Sequence, residues 1–333
     1  MFTRILLPLD GSSLAESTIP HAVALAKLNN ATVVPLLVLG EKASKDSVDP
    51  MEWHLRKTAA QGYIDTICAK FQEHGLECHA LLLAGSPYQR IYEEVAKLNI
   101  DLVIISTHGQ SGRVEQPLGA IAYKVLEGAG TSVMLVPAQA RPEETELFAP
   151  SHYHNILIPL DGSLRAECIL PIADWLGREQ SIKLVLAHVV QRPDILSWAM
   201  LADETRILAE QFVDHTWSIA QSYLAQIQER QNVDTISVLA RAENVAMELD
   251  HVAEQNGVDL ILISAHGAAA NPMRAFGDTV SGLLTYCHQP VLIYQDRPAA
   301  RTVESEAIPV RERIERQNGH SSPGPVHGQQ AYL

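Results

Sequence analysis

The chain contains the same short motifs twice, in the same order. Residues 4–16 read RILLPLDGSSLAE and residues 155–167 read NILIPLDGSLRAE. DLVIISTHG at 101–109 returns as DLILISAHG at 259–267, and in each copy nine residues follow before a further glycine, Gly119 or Gly277. Matched motifs in the same order predict a tandem duplication. We expect one domain over residues 1–140, a polar linker over 141–151, a second domain over 152–297 and a disordered tail over 298–333.

Each copy alternates short apolar runs with amphipathic segments. Residues 5–9 form a continuous apolar run, which is typical of a strand covered on both faces. In the first copy we also expect strands over 32–39, 78–83, 102–106 and 132–136. Strands that alternate with helices predict an α/β fold, here two tandem, doubly wound, five-stranded parallel-sheet domains.

The helices are predicted from capping signals and from the spacing of apolar residues. Ser13 and Glu16 have the spacing of a capping box, so a helix should begin there, with Pro20 causing a kink or a shifted start. Apolar residues at helical spacing predict a longer helix in each copy. These residues are Tyr63, Ile67 and Phe71 in the first copy, and Leu208, Phe212, Ile219, Tyr223 and Ile227 in the second.

Charge and hydropathy exclude several classes of protein. Acidic residues outnumber basic ones by 39 to 25, so the chain is a poor candidate for nucleic-acid binding, which relies on Lys and Arg. No apolar run approaches the roughly 20 residues of a membrane-spanning helix, and the first residues break at Pro8 and Asp10 before a signal-peptide core. The four scattered cysteines indicate buried thiols in a reducing compartment. We therefore predict a cytoplasmic protein without a nucleic-acid or membrane partner.

Doubly wound sheets bind ligands beyond the carboxyl ends of their strands, where the winding reverses. The first repeated loop there is Pro8-Leu9-Asp10-Gly11-Ser12, which recurs at 159–163. Asp10 and its counterpart Asp161 can accept hydrogen bonds from a base or a ribose. Alternatively, Asp10 and Ser12 only cap the following helix. The two roles are compatible, because a carboxylate has two oxygens.

The second repeated loop runs from Gly109 to Gly119 and, in the other copy, from Gly267 to Gly277. Glycines let backbone N–H groups form a concave anion site, which the positive end of the next helix reinforces. Such a site binds phosphate without a lysine cluster, in keeping with the acidic composition. A plain strand-to-helix turn is the alternative, but identical spacing in two copies favours a phosphate site.

On these motifs the chain resembles a tandem universal stress protein, with two UspA-type domains covering all but the tail. The resemblance implies strand order 3-2-1-4-5 in each domain. It also implies pairing of the domains through their fifth strands, here 132–136 and 290–295, as an intrachain pseudo-dimer, and it leaves homo-oligomerisation open. One subgroup of the family binds ATP through a loop of the form Gly-x2-Gly-x9-Gly-Ser/Thr, whereas another lacks nucleotide.

The resemblance also implies which residues would contact ATP and its accompanying Mg2+. In the first copy these are Asp10, Val38, Ser106, Gly109, Gly119 and Ala120. In the second copy they are Asp161, Val189, Ser264, Gly267, Gly277 and Asp278.

The motif departs from the family pattern at two positions in each copy. Ser106 and Ser264 replace the first glycine, and Ala120 replaces a hydroxyl residue. Asp278 places a carboxylate at that last position, where it repels phosphate unless Mg2+ lies between them. We therefore expect a weak-to-moderate ATP site in the first copy and a degenerate or structural second copy.

Together these features indicate a stress-response binding or regulatory protein that is not an enzyme, or at most a weak ATPase, with no catalytic residues and no metal site of its own. One alternative is a structural interaction module of the same fold that binds no nucleotide. A second is an adenine-nucleotide-hydrolysing enzyme of related fold, although the SGGxDS, HxGH and KMSKS signatures are absent from the sequence. His108 and His266 are expected to orient the glycine loop rather than to transfer protons.

Overall fold

In the computed structural model, the apolar runs of both copies form β-strands. The structure describes residues 2–40, 50–109, 118–138, 146–179, 181–192, 203–268 and 274–295, so the predicted tail and residues 141–145 of the linker lie outside the described residues. The strands of the first half are β1 (Arg4–Leu9), β2 (Thr32–Leu39), β3 (Leu81–Ala84), β4 (Leu102–Ser106) and β5 (Ser132–Val136). Those of the second half are β6 (Asn155–Pro159), β7 (Lys183–Gln191), β8 (Asp234–Ala242), β9 (Leu260–Ser264) and β10 (Val291–Tyr294).

The helices alternate with the strands in both halves. The first half contains α1 (Ser13–Glu16), α2 (Ile19–Asn29), α3 (Pro50–Glu73), α4 (Pro87–Lys97) and α5 (Ala120–Gly128). The second half contains α6 (Leu164–Glu167), α7 (Leu170–Glu179), α8 (Asp203–Arg230), α9 (Val245–Gln255) and α10 (Asp278–Tyr286). No helix in the described ranges combines the length and apolar character needed to cross a membrane.

All ten strands belong to one sheet, in the order β3-β2-β1-β4-β5-β10-β9-β6-β7-β8. Within each half the pairing is parallel, and each half has the predicted order 3-2-1-4-5 when read inward from its outer strand. At the centre, β5 and β10 pair antiparallel, with Met134 opposite Leu292. The predicted pairing of the closing strands is therefore present, and it gives the two halves a continuous backbone ladder.

Two apolar layers, one on each face of the sheet, run through both halves. Residues that alternate along a strand point to opposite faces, so neighbours such as Leu6 and Leu7 enter different layers. The helices α2, α3, α7 and α8 cover one layer, and α4, α5, α9 and α10 cover the other. Because both faces are covered, the strands read as continuous apolar runs in the sequence.

At the start of the chain the N-cap residue differs from the prediction, whereas the shifted helix start expected from Pro20 is present. The N-cap of α1 is Ser12 rather than Ser13, and Ser12 Oγ accepts a hydrogen bond from Ala15 N at 3.2 Å. Helix α1 ends after one turn, and α2 begins at Ile19 with Pro20 in its first turn. Proline is tolerated there because the first N–H groups of a helix have no intrahelical acceptor.

The predicted buried face of α8 is wrong for most of its length. Ile227 is buried, whereas Leu208, Phe212 and Ile219 are exposed. The buried residues are instead Val213, Ala220 and Leu224, and the first two pack with Val190 of β7. The face that α8 turns to the sheet is therefore displaced by one residue from the predicted face, because the packing against β7 sets the rotation of the helix.

Residues 146–153 pack onto the first half, although they read as part of a polar connection. Leu147 and Phe148 are buried, and the Phe148 ring lies 5.1 Å from that of Phe71 in an edge-on arrangement. Tyr153 is also buried, and its hydroxyl lies 2.8 Å from Nδ1 of His21. These apolar side chains fill space beside α2 and α3, which local composition does not reveal. Burial lowers the pKa of His21 to about 4.

The first prediction concerns the central strand pair. Truncating Leu292, which is fully buried opposite Met134, leaves a cavity and should lower the free energy of unfolding by about 2–5 kcal/mol. The change Leu164→Ala, at a residue that is 84% exposed, should alter it by less than about 0.5 kcal/mol. Urea denaturation of Leu292→Ala and Leu164→Ala measures both values. Equal effects of the two substitutions would contradict a shared core beneath this seam.

The second prediction concerns acid stability. An unfolded histidine has a pKa of about 6.5 and folded His21 one of about 4, so the unfolded state binds the extra proton between these values. The stability contributed by neutral His21 is therefore present above pH 6.5 and lost as the pH falls to 4, by about 3 kcal/mol. Denaturation at several pH values should show that His21→Gln removes this component, while exposed His54→Gln keeps it. The same pH slope in all three proteins would contradict the assignment.

Candidate functional site

The repeated loops of each half meet at the carboxyl ends of two neighbouring strands. In the first half, Asp10 follows β1 and Gly109 follows β4, and these strands pair in parallel. A Cβ added at Gly109 would overlap Oδ2 of Asp10, and one at Gly267 would overlap Oδ2 of Asp161. Each aspartate is therefore packed against the loop glycine of its own half, and a larger residue there would have to displace the carboxylate.

Asp10 organises the turn that follows β1. Its Oδ1 accepts hydrogen bonds from the backbone N–H of Ser12 at 3.0 Å and from the Ser12 hydroxyl at 2.5 Å. Gly11, between them, has a φ of 78°, in the region that favours glycine. The capping role considered from the sequence is therefore real. Any ligand contact of Asp10 would be additional to it.

Asp161 holds both loops of the second half together. Its Oδ1 accepts a hydrogen bond from Ser163 N at 3.0 Å, and its Oδ2 accepts one from Ala268 N at 2.7 Å. Burial by itself would raise the pKa of Asp161, but the hydrogen bonds from Ser163 and Ala268 lower it below its ordinary value. The carboxylate is therefore ionised at neutral pH.

The far end of each glycine loop closes back onto the strand. Gly119 N donates to Thr107 O and Gly277 N donates to Ala265 O, both at 2.8 Å. A Cβ at Gly119 would lie 3.0 Å from Thr107 O, whereas one at Gly277 would meet nothing closer than 3.8 Å. Glycine is thus required by packing at Gly119 but not at Gly277.

These glycines are also the N-caps of α5 and α10. Neither helix start has a side-chain cap within the described residues. The first N–H groups of a helix have no intrahelical acceptor, and they carry the positive end of the helix dipole. The first turn of each helix can therefore donate hydrogen bonds to an anion.

His266 fixes the shape of the second-half loop. It is 2% exposed, and its Nε2 donates a hydrogen bond to the carbonyl of Arg274 at 3.0 Å. His108, in the first half, lies with Nδ1 3.2 Å from Thr107 Oγ1, which in turn accepts a hydrogen bond from Ala138 N. Both histidines are buried among loop atoms, as expected for residues that orient the loop.

The second half has a cavity of about 300 Å³ at this position. Most of the predicted second-copy residues line it, namely Asp161, Val189, Ser264, Gly267 and Gly277. Asp278 is not among the lining residues. Its side chain is 88% exposed and forms an ion pair with Arg274, while its neighbour Thr279 lines the cavity.

The first-half residues occupy the matching places. Val38 lies one residue beyond the last β1–β2 pair, Leu9 with Leu37, so β1 does not cover its backbone. Ser106 ends β4 and is 5% exposed, and Ala120 begins α5 and is exposed. Together with Asp10, Gly109 and Gly119, these residues surround the end of β1 and β4.

Sequence reasoning missed His188, Arg274 and Thr279 in the second half. His188 lines the cavity at the position where the first half has Leu37, and its Nδ1 is buried with no hydrogen-bond partner among the described residues. Burial lowers the pKa of His188, although the charge of Asp161 and the Leu160 carbonyl act in the opposite direction. Aligning the two copies would have flagged His188, because a polar residue there interrupts an apolar strand.

Comparison with known proteins relates both halves to one family. The model of the universal stress protein family matches residues 1–137 and again residues 152–295. Universal stress protein MJ0531 of Methanocaldococcus jannaschii is 26% identical over 140 residues, covering 41% of this chain and 82% of the relative. Universal stress protein MJ0577 of the same organism is 23% identical over 154 residues, covering 41% of this chain and 95% of the relative.

Two solved structures share the fold over most of the chain. A universal stress protein from Archaeoglobus fulgidus covers 88% of this chain, and 98% of its own chain is matched, with a TM-score of 0.60 at 15% identity. Protein PA1789 from Pseudomonas aeruginosa also covers 88% of this chain, with 92% of its own chain matched, a TM-score of 0.61 and 14% identity. Since the family model matches both halves, the chain belongs to the universal stress protein family as a member with two domains in tandem.

Proposed function

We propose that the chain is a cytoplasmic stress-response protein that binds adenine nucleotide, ATP with Mg2+ in the first half, and acts by binding rather than by turnover. The observation that carries this proposal is the crevice built twice at the sheet's reversal point. In each copy an aspartate packs against a loop glycine, close to a helix start without a side-chain cap. Such crevices are the usual ligand sites of doubly wound sheets.

In the first half, the two ends of the nucleotide would meet different groups. Asp10 would accept a hydrogen bond from a ribose hydroxyl, and the backbone of Val38, not covered by β1, would bind the adenine edge. The phosphates would lie over Gly109 and Gly119 and receive N–H groups from the first turn of α5. Ser106 is buried, so it would contribute mainly to the floor of the site.

The second half was expected to be degenerate or structural, yet its cavity supports a ligand site there too. Asp161, Val189 and Gly267 line the cavity at the same places as their first-half counterparts. The Asp278 carboxylate, which the sequence places against the phosphates, is directed to Arg274 and solvent. We therefore extend the proposal to both crevices.

The position of the crevices suggests how occupancy would be transmitted. The loop that ends at Gly119 leads into α5 and then β5, and the loop that ends at Gly277 leads into α10 and then β10. Strands β5 and β10 form the central antiparallel pair. A ligand on either loop thus contacts the segment that precedes the seam, and it would bias the pairing of the halves or the choice of protein partner.

A structural interaction module without nucleotide is the second candidate. It is favoured by the hydrogen bonds that close the loops internally, since Gly119 N and Gly277 N are already engaged by strand carbonyls. These bonds hold the described ends of the loops in place without a ligand. Binding of ATP to the purified chain separates the two candidates, and sustained phosphate release would instead support the ATPase alternative.

The third prediction tests the nucleotide site. The change Asp10→Ala should weaken binding of ATP with Mg2+ by about 10- to 100-fold, because a hydrogen bond to a charged group contributes about 1.5–3 kcal/mol. Isothermal titration calorimetry of the full chain measures this. Asp65→Ala, at an exposed position on α3, removes the same charge away from the crevice and should leave affinity unchanged. Wild-type chain that binds no ATP at millimolar concentration would leave only the interaction module.

The fourth prediction concerns the loop glycines. Gly109→Ala and Gly267→Ala place a methyl group against the Asp10 and Asp161 carboxylates, so each should displace its loop and lower both nucleotide affinity and melting temperature. Gly62→Ala is the matched control, because Gly62 lies within α3 and an added Cβ meets no atom within 4 Å. Alanine favours helix there, so the control should be stabilising by up to about 1 kcal/mol. Loop substitutions that behave like the control would refute the packing argument.

A further inference from the structure

We infer that the second-half crevice prefers an adenine nucleoside or nucleoside monophosphate to a triphosphate. The two crevices would then bind adenine nucleotides that differ in their number of phosphates. This inference rests on the proposed function and specifies the ligand of the second site. It follows from the size of the cavity, from the use of its loop amides and from the charges at its mouth.

The first argument is size. The second-half cavity of about 300 Å³ lies at the lower end of the roughly 300–1,000 Å³ that ligand pockets span. Val245, Leu249, Ile263 and Val280 contribute apolar surface from β9, α9 and α10, while residues such as Asp161 and Thr279 contribute polar groups. A cavity of this size and lining suits one base and sugar better than a base, sugar and three phosphates.

The second argument is the use of the loop amides. A polyphosphate site needs several backbone N–H groups directed at the anion. Here Ala268 N, the amide that follows Gly267, donates to Asp161 Oδ2 and is committed to the protein. Gly277 N donates to Ala265 O as Gly119 N donates to Thr107 O in the first half, so that bond does not distinguish the two crevices. Among the described residues, the Thr279 side chain and the first turn of α10 can donate hydrogen bonds to a single phosphate.

The third argument is charge. Asp278 begins α10 between two residues that line the cavity, Gly277 and Thr279. The only cation paired with it among the described residues is Arg274, whose charge the pair offsets. The pair has no net charge to attract additional phosphates, and phosphates that lie nearest the Asp278 carboxylate are repelled by it. The first half has uncharged Ala120 at this position, so this repulsion is missing there.

The nucleoside end of the second crevice is also distinct. His188 lies beside Asp161 and Tyr223, with its ring 6.4 Å from that of Tyr223, and its Nδ1 has no hydrogen-bond partner in the described structure. A turn of the ring would let this nitrogen bond a ribose hydroxyl or a base amine. At the first-half position, Leu37 offers no such group. The second crevice thus has an additional side chain that can form a hydrogen bond with the nucleoside part of a ligand.

Histidine-ring NMR of the full chain provides a reporter that belongs to the second site alone. The His188 signals are identified by their loss in His188→Leu, which installs the first-half residue. We expect AMP to shift these signals at a concentration about tenfold lower than ATP with Mg2+ does. Asp278→Ala, which installs the first-half Ala120, should reduce this difference to less than about threefold by strengthening ATP binding. Asp234→Ala, at the opposite edge of the sheet, should leave it unchanged.

The outcomes separate this inference from the proposed function. ATP that shifts the His188 signals at the same concentration as AMP, or a preference that Asp278→Ala leaves intact, overturns the inference. Calorimetric ATP binding that depends on Asp10, without any response of His188 to AMP, overturns the inference alone and leaves the first site standing. A chain that gives no heat and no shifts with either nucleotide overturns the proposed function itself.

Discussion

The antiparallel pair of β5 and β10 is the interaction on which the architecture depends. Without it, each half would end in a strand with unpaired N–H and C=O groups, and both apolar layers would open to water, one beside Met134 and the other beside Leu135. The pairing of β5 with β10 satisfies these backbone groups and covers both apolar layers. It also sets the two crevices on the same molecule in a fixed relation, since each lies at the end of strands that neighbour the seam.

In each crevice, one aspartate carboxylate stabilises the loops of the free protein and is also placed to contact a ligand. Asp161 accepts hydrogen bonds from both loops and stays ionised, and Asp10 arranges the turn before α1. Loops held in this way need little reorganisation when a ligand arrives, so less binding free energy is lost to ordering. Asp10 and Asp161 can therefore hold the loops in place in the free protein and also contact a nucleotide when one binds.

Much of the fold could be predicted from the sequence, because buried parallel strands leave continuous apolar runs and duplication repeats them. The resemblance supplied the strand order and the site positions around Asp10. Features that depend on distant contacts could not be predicted. The rotation of α8, which buries Val213 rather than Phe212, follows from its packing against β7, and the burial of Phe148 follows from space beside α3. The role of His188 could not be predicted, because it depends on the cavity and on Asp161, which follows the neighbouring strand β6.

The packing of residues 146–153 has a consequence for how the halves relate to single-domain relatives. The family match to the first half ends at residue 137, yet Leu147, Phe148 and Tyr153 complete the interior around His21 and Phe71. The interior of the first half is therefore completed by residues that lie outside its own repeat. A single-domain relative put in place of the first half would therefore also have to supply side chains that fill the space around His21 and Phe71.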